Sequence, residues 1–127
     1  MAKILVVDDE THITHVVALK LRNAGYEVDT AGDGEEGYEL ASMNGYDLII
    51  TDIQMPYMTG LELAEKLYNN SKTKKTPIIV LTARGYKLDP TALGDSAIRE
   101  ILSKPFSPRE VLAHVERILG NVRKDAA

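Results

Sequence analysis

Five times along this chain, a short apolar run with strand character gives way to a stretch with helical periodicity. That alternation restricts the fold to a parallel sheet with helices on both faces, because parallel neighbours need a crossover long enough to hold a helix. Lys3–Val7 reads as the first strand. Ile13, Val16, Val17, Leu21 and Ala24 then share one helical face, and Gly25 is a helix stop. Residues 26–30 alternate with period two and read as the second strand. A second helix starts near Asp33, with Glu36 as its capping-box partner, and ends at Asn44-Gly45. Leu48-Ile49-Ile50 has the composition of a buried central strand. Thr59 and Glu62 form a second capping box and open a helix carrying Leu61, Ala64, Leu67 and Tyr68. Residues 77–81 are the fourth strand, and Ile101-Leu102 a short fifth. Ser107, Pro108 and Glu110 open a last helix that carries Val111, Leu112, Val115, Ile118 and Leu119 and is expected to close at Gly120. Between them, Asp89-Pro90 and Gly94 predict a short or distorted fourth helix within residues 83–99.

A length of 127 residues suits one domain, expected over residues 1–120, with a polar tail at 121–127 that frays. Cysteine is absent, which excludes disulfides, thiolate metal sites and cysteine nucleophiles. The net charge of −4 gives no basic footprint for nucleic acid, and Lys72-Thr73-Lys74-Lys75 reads as a solvated loop. No apolar run approaches the ~20 residues of a membrane span, and the first residues are too short for a signal peptide. A cytoplasmic protein that meets other proteins is the expectation.

In a parallel sheet all carboxyl ends share one edge, and ligands bind there at the switch point of strand order. Asp8 and Asp9 end the first strand, Asp52 the third and Thr82 the fourth, and Lys104 follows the fifth. Singly, each has a plain structural use as a loop acid, turn former, β-residue or surface turn. Their joint arrival at one edge points to chemistry. Packed carboxylates repel unless a cation intervenes, and a hard divalent ion such as Mg²⁺, or Mn²⁺ in its place, takes oxygen ligands of this kind. Such an ion and one lysine can neutralise a phosphoryl group, and a carboxylate can accept it as an acyl phosphate.

Val6-Val7-Asp8-Asp9-Glu10, the stretch from Asp47 to Pro56, Leu81-Thr82-Ala83 and Ser103-Lys104-Pro105-Phe106 closely resemble the receiver domain of bacterial two-component response regulators. The resemblance covers roughly residues 2–120. The spacings agree with it: 43 from Asp9 to Asp52, 30 on to Thr82 and 22 on to Lys104. It implies a CheY-like, flavodoxin-like α/β fold with a five-stranded parallel sheet in the order 2-1-3-4-5 and five flanking helices. By the same resemblance Asp52 is the phosphoacceptor. Asp9, Asp52 and the Gln54 backbone carbonyl hold Mg²⁺, and Asp8 acts through a metal-bound water. Lys104 and Thr82 take phosphoryl oxygens, and the Lys104–Pro105 peptide is cis. The implied partners are a sensor histidine kinase or phosphotransfer protein as donor and a downstream protein met through the face of the fourth helix, fifth strand and fifth helix. The protein is expected to be a monomer or weak dimer, touching neither nucleic acid nor membrane. The implied module is not an enzyme beyond its own phosphorylation and dephosphorylation.

The chain departs from the family's pattern at Ile101, where an aromatic residue is usual, and at Ser96–Glu100, where small residues are typical. An isoleucine offers no hydroxyl and is stiff at its β-branch. The expectation is therefore intact phosphorylation chemistry with a modified output switch, Tyr86 being a candidate substitute for the missing ring. Gln54 and Arg84 stand where the family tunes phosphoryl lifetime.

The main alternative is a receiver used only as a phosphorylation-independent scaffold. A flavodoxin-like mononucleotide binder needs a phosphate loop after the first strand, where this chain has Asp8-Asp9-Glu10. An aspartyl phosphatase resembles Asp-x-Asp arrangements on the first strand, whereas these acids are adjacent. His12 and His15, His114, and Met55 and Met58 have simpler readings as solvated helix residues and loop packing.

Overall fold

The computed structural model describes residues 2–83, 97–104 and 106–126. The region expected to hold the fourth helix, together with Arg84, Tyr86 and the cis Lys104–Pro105 peptide, lies wholly or largely outside the described residues.

Five parallel strands form one sheet in the order β2-β1-β3-β4-β5. They are β1 Lys3–Val7, β2 Glu27–Ala31, β3 Leu48–Asp52, β4 Ile78–Thr82 and β5 Ile98–Ser103. The described residues contain four helices, not the five expected: α1 Thr11–Asn23, α2 Gly34–Met43, α3 Gly60–Tyr68 and α4 Pro108–Ala126. Every residue of β3 and β4 is buried, as strands covered on both faces must be. One core layer joins Ile4, Val6, Leu48, Ile50, Ile79 and Leu81 to α1 and α4 through Val17, Leu21, Val111 and Val115. The other joins Leu5, Val7, Ile49, Ile78 and Val80 to α2 and α3 through Ala41, Leu63 and Leu67. Each fully buried aliphatic side chain contributes roughly 1.5–3 kcal/mol.

The helix ends follow the capping residues. Thr59 and Glu62 make both bonds of a capping box at α3. At α2 the Asp33 carboxylate accepts from the Glu36 N–H, but the Glu36 side chain reaches Gly32, one residue beyond the expected partner. Ser107 accepts from the Glu110 N–H at α4. Gly25, at φ +100°, ends α1: its N–H bonds to Arg22, the Tyr26 N–H bonds to Leu21, and Tyr26 is buried beyond it.

Three sequence expectations are corrected. Val16 is 46% exposed, because the buried stripe of α1 runs through Thr14, Val17, Ala18 and Leu21, one step round the helix. The Thr14 hydroxyl fits there by donating to the Thr11 carbonyl. The fifth strand is six residues long rather than two. It is an edge strand with only Leu102 buried and a bulge at Arg99, so its apolar pattern is short. The last helix runs past Gly120 to Ala126, since one glycine weakens a helix by about 1 kcal/mol without ending it. Among the described residues, no helix is long and apolar enough to cross a membrane.

Candidate phosphoacceptor and metal site

The sheet reverses its winding at β1, which lies between β2 and β3. The carboxyl ends of β1 and β3 therefore face the crevice where helices leave in opposite directions. Parallel pairing of Val7 with Thr51 and of Asp52 with Leu81 brings Asp8, Asp52 and Thr82 to one level. The Lys104 N–H donates to the Thr82 carbonyl at 2.8 Å and carries the lysine to the same edge.

Two carboxylates are buried there, Asp8 at 1% exposure and Asp52 at 3%. Asp8 Oδ1 accepts from the Glu10 N–H at 2.9 Å, while Asp8 Oδ2 is buried without a hydrogen bond. Burial, and then the negative charge of Asp52, push the Asp8 carboxyl up to about 6, although the Glu10 hydrogen bond opposes the shift. Burial also raises Asp52, against the pull of the Lys104 ammonium, with Asp9 adding to the rise. Lys104 Nζ lies 3.6 Å from Asp52 Oδ1 and 3.3 Å from Glu10 Oε1. Burial works against its charge, but the carboxylates of Asp52 and Asp8 outweigh that and raise its pKa.

The structure thus brings Asp8, Asp52 and Lys104 together, with Thr82 beside them. The Thr82 hydroxyl donates to the Ala83 carbonyl at 3.0 Å, along its own chain. Asp9 is exposed, close enough to act on Asp52 by its charge, and Gln54 is exposed in the following loop. Sequence reasoning gave Glu10 no role. One carboxylate oxygen from each of Asp8, Glu10 and Asp52 lies within 4.8 Å of the others. The sequence signal for it is a third consecutive acid, at the N-cap of α1.

The buried pair of Asp8 and Asp52 fits a hard divalent cation. It is all oxygen, it is negatively charged, and Asp8 Oδ2 is a buried acceptor that such an ion would satisfy.

The loop behind Asp52 is tightly fixed. The Ile53 N–H donates to Leu81 and the Gly60 N–H to Ile53. A β-carbon on Gly60 would run into the Asp52 carbonyl oxygen, so only glycine lets α3 approach this closely. The Met58 N–H closes a three-residue turn on Pro56 at 2.7 Å, with fully exposed Tyr57 at its centre and φ +68°. Pro56 and Gly60 thus shape the loop.

One further feature lies beside the pocket and another farther back along β5. A groove of about 300 Å³, lined by Ile13, Val16, Val17 and Phe106 among others, opens beside Lys104. Along β5, the Glu100 carboxylate accepts from Arg117 at 2.9 Å and lies 3.1 Å from His114 Nδ1, tying the strand to α4, while Ile101 is 39% exposed.

Comparison with known proteins agrees with this geometry. The response regulator receiver domain family matches residues 4–116. The transcriptional regulatory protein SrrA of Staphylococcus aureus is 39% identical over 117 residues, covering 92% of this chain and 47% of that protein. The chain therefore spans about half the length of the curated relatives it matches. The chemotaxis response regulator CheY4 of Vibrio cholerae superposes with a TM-score of 0.86 at 39% identity, covering 94% of this chain and 99% of that one. The response regulator TrrA of Thermotoga maritima, in complex with Mg(2+)-BeF, superposes at 0.82 with 38% identity, covering 94% and 100%.

Proposed function

Because this chain belongs to the response regulator receiver domain family of two-component systems, we propose that it accepts a phosphoryl group on Asp52 in a Mg²⁺-dependent reaction and thereby switches its contacts with another protein. The observation that carries the reading is the buried Asp52 carboxylate with Lys104 at 3.6 Å and the unsatisfied Asp8 Oδ2 in the same pocket.

Asp9 and Asp52, with the Gln54 backbone carbonyl, would hold the cation, and Asp8 would act through a metal-bound water. When bound, it would supply positive charge against the phosphoryl oxygens. The rest belongs to the chain's own residues. A carboxylate oxygen of Asp52 attacks phosphorus, the bond from phosphorus to the donor's histidine nitrogen breaks, and the imidazole leaves with that electron pair. Lys104 shifts from the carboxylate toward a phosphoryl oxygen, keeping an ion pair throughout. Thr82 gives up its bond to Ala83 and donates to another oxygen. The fixed loop through Gly60 keeps the acceptor backbone in place.

The donor is a histidine kinase or phosphotransfer protein, and the apolar groove beside Lys104 supports a protein donor. The output runs through β5, α4 and the segment before them. Ile101 at the usual aromatic position, together with the Glu100 clamp on α4, supports a switch that differs from the family's usual one. The location that goes with this chemistry is the cytoplasm, and the only reactions catalysed are the protein's own phosphorylation and dephosphorylation.

Incubation with acetyl phosphate, followed by intact mass measurement, tests the proposal. A phosphoryl adduct that requires Mg²⁺ and disappears in Asp52→Asn is the expected result. No adduct under any condition would favour the phosphorylation-independent scaffold.

A further inference from the structure

Glu10 stands closer to the Lys104 ammonium than the acceptor does, at 3.3 Å against 3.6 Å. We infer that Glu10 is a positioning residue that holds Lys104 in reserve and competes with the phosphoryl group for it. The inference rests on the phosphoacceptor reading of Asp52 and adds a residue to which that reading gives no part.

The geometry fits a holding contact. Glu10 sits at the N-cap of α1, where its side chain makes no capping bond, so its carboxylate is free of that duty. Its backbone is anchored on both sides: the N–H bonds to Asp8 Oδ1, and the carbonyl accepts from Ile13 and Thr14. The carboxylate is therefore delivered to the pocket by fixed backbone. Oε1 faces Lys104, and Oε2 lies 3.8 Å from His12 Nε2, at the solvent side. The glutamate side chain is 46% exposed and the lysine 22%, so the contact lies at the mouth of the pocket, where it can exchange.

The consequence is a balance. While Asp52 bears only its carboxylate, Lys104 is shared between two acids. When Asp52 carries a phosphoryl group, the added negative charge draws the ammonium inward and the Glu10 contact is given up. Every phosphorylation then includes the loss of one partly exposed ion pair. Removing the charge of Glu10 should favour the phosphorylated form, whereas removing the charge of a metal ligand should disfavour it.

The test uses beryllofluoride with Mg²⁺ as the probe, its binding followed by ¹⁹F NMR in the full chain. Glu10→Gln should bind the probe about two- to fivefold more tightly than the wild type, the range expected of a partly exposed ion pair. The same substitution placed on a Lys104→Met background should change nothing, since the contact it relieves is already gone. Mg²⁺ affinity without beryllofluoride, measured by calorimetry, should not fall in Glu10→Gln. Unchanged or weaker probe binding in Glu10→Gln overturns the inference, as does the same gain on the Lys104→Met background. A tenfold loss of Mg²⁺ affinity overturns it in favour of Glu10 as a cation ligand. If the wild type itself takes up no beryllofluoride, the phosphoacceptor reading falls and this inference falls with it; in the other failures the wild type binds and only the role of Glu10 is lost.

Discussion

The two ends of this sheet treat polar groups in opposite ways. At the amino end, the Tyr46 hydroxyl donates to Asp29 Oδ2 at 2.7 Å, and Lys3 lies 3.9 Å from the same carboxylate and over the Tyr46 ring. Lys3 and Asp47 close the set, their backbones and the Asp47 carboxylate exchanging hydrogen bonds at 2.7 and 2.8 Å. Each polar group there has its partner within the chain. At the carboxyl end, two acids are buried together, one oxygen has no hydrogen bond, and a single ammonium serves Asp52 and Glu10. An isolated fold gains nothing from such an arrangement. The difference marks where the fold carries a cost that the proposed cation would offset.

Four substitutions or conditions can break or sharpen that contrast. The largest expected effect is at Gly60. Gly60→Ala drives a methyl group against the Asp52 carbonyl, with an expected loss of about 3 kcal/mol in urea denaturation and a marked fall in phosphoryl uptake. Normal stability and uptake would mean that the loop is slack.

Next is the pH dependence. The Asp8 carboxyl is raised from 3.8 to about 6 in the folded protein, so between these values the folded state binds the proton more tightly than the unfolded state. Its contribution is most favourable with the acid protonated and is lost as pH rises through about 6. Without divalent cations, the Asp8 contribution should fall by about 2–3 kcal/mol from pH 4 to pH 7.5, and Mg²⁺ should recover stability at the upper end. Denaturation midpoints for the wild type and Asp8→Asn, with and without Mg²⁺, measure this. A flat difference between the two proteins removes the proposed strain at Asp8.

At the amino end, Tyr46→Phe should cost about 1 kcal/mol, the worth of one hydrogen bond, and leave phosphoryl uptake unchanged. An effect on uptake would couple the two ends and end the contrast. The smallest effect is expected at Tyr57, whose φ of +68° suits glycine better. Tyr57→Gly should be neutral or more stable by about 0.5–1 kcal/mol, as thermal unfolding would report.

Much of this was legible in the chain itself. The β–α alternation fixed the architecture because period-two and period-3.6 patterns cannot be exchanged without burying polar residues. Capping residues such as Thr59, Ser107 and Gly25 marked helix ends because their chemistry is local. The ordered set Asp8, Asp9, Asp52, Thr82 and Lys104 pointed to one edge because parallel strands share a direction. What the sequence missed were non-local quantities. It did not show that Val16 sits outside the stripe of α1, or that an edge position lets β5 run six residues on one buried side chain. Nor did it show that Glu10 lies closer to the lysine than Asp52 does, or that of two adjacent acids Asp8 is buried while Asp9 faces water. Composition and periodicity are properties of neighbours along the chain, and they determined which elements form and in what order. Burial, unsatisfied charge and the sharing of one ammonium depend on atoms brought together from four strand ends, and only the packed sheet decided them.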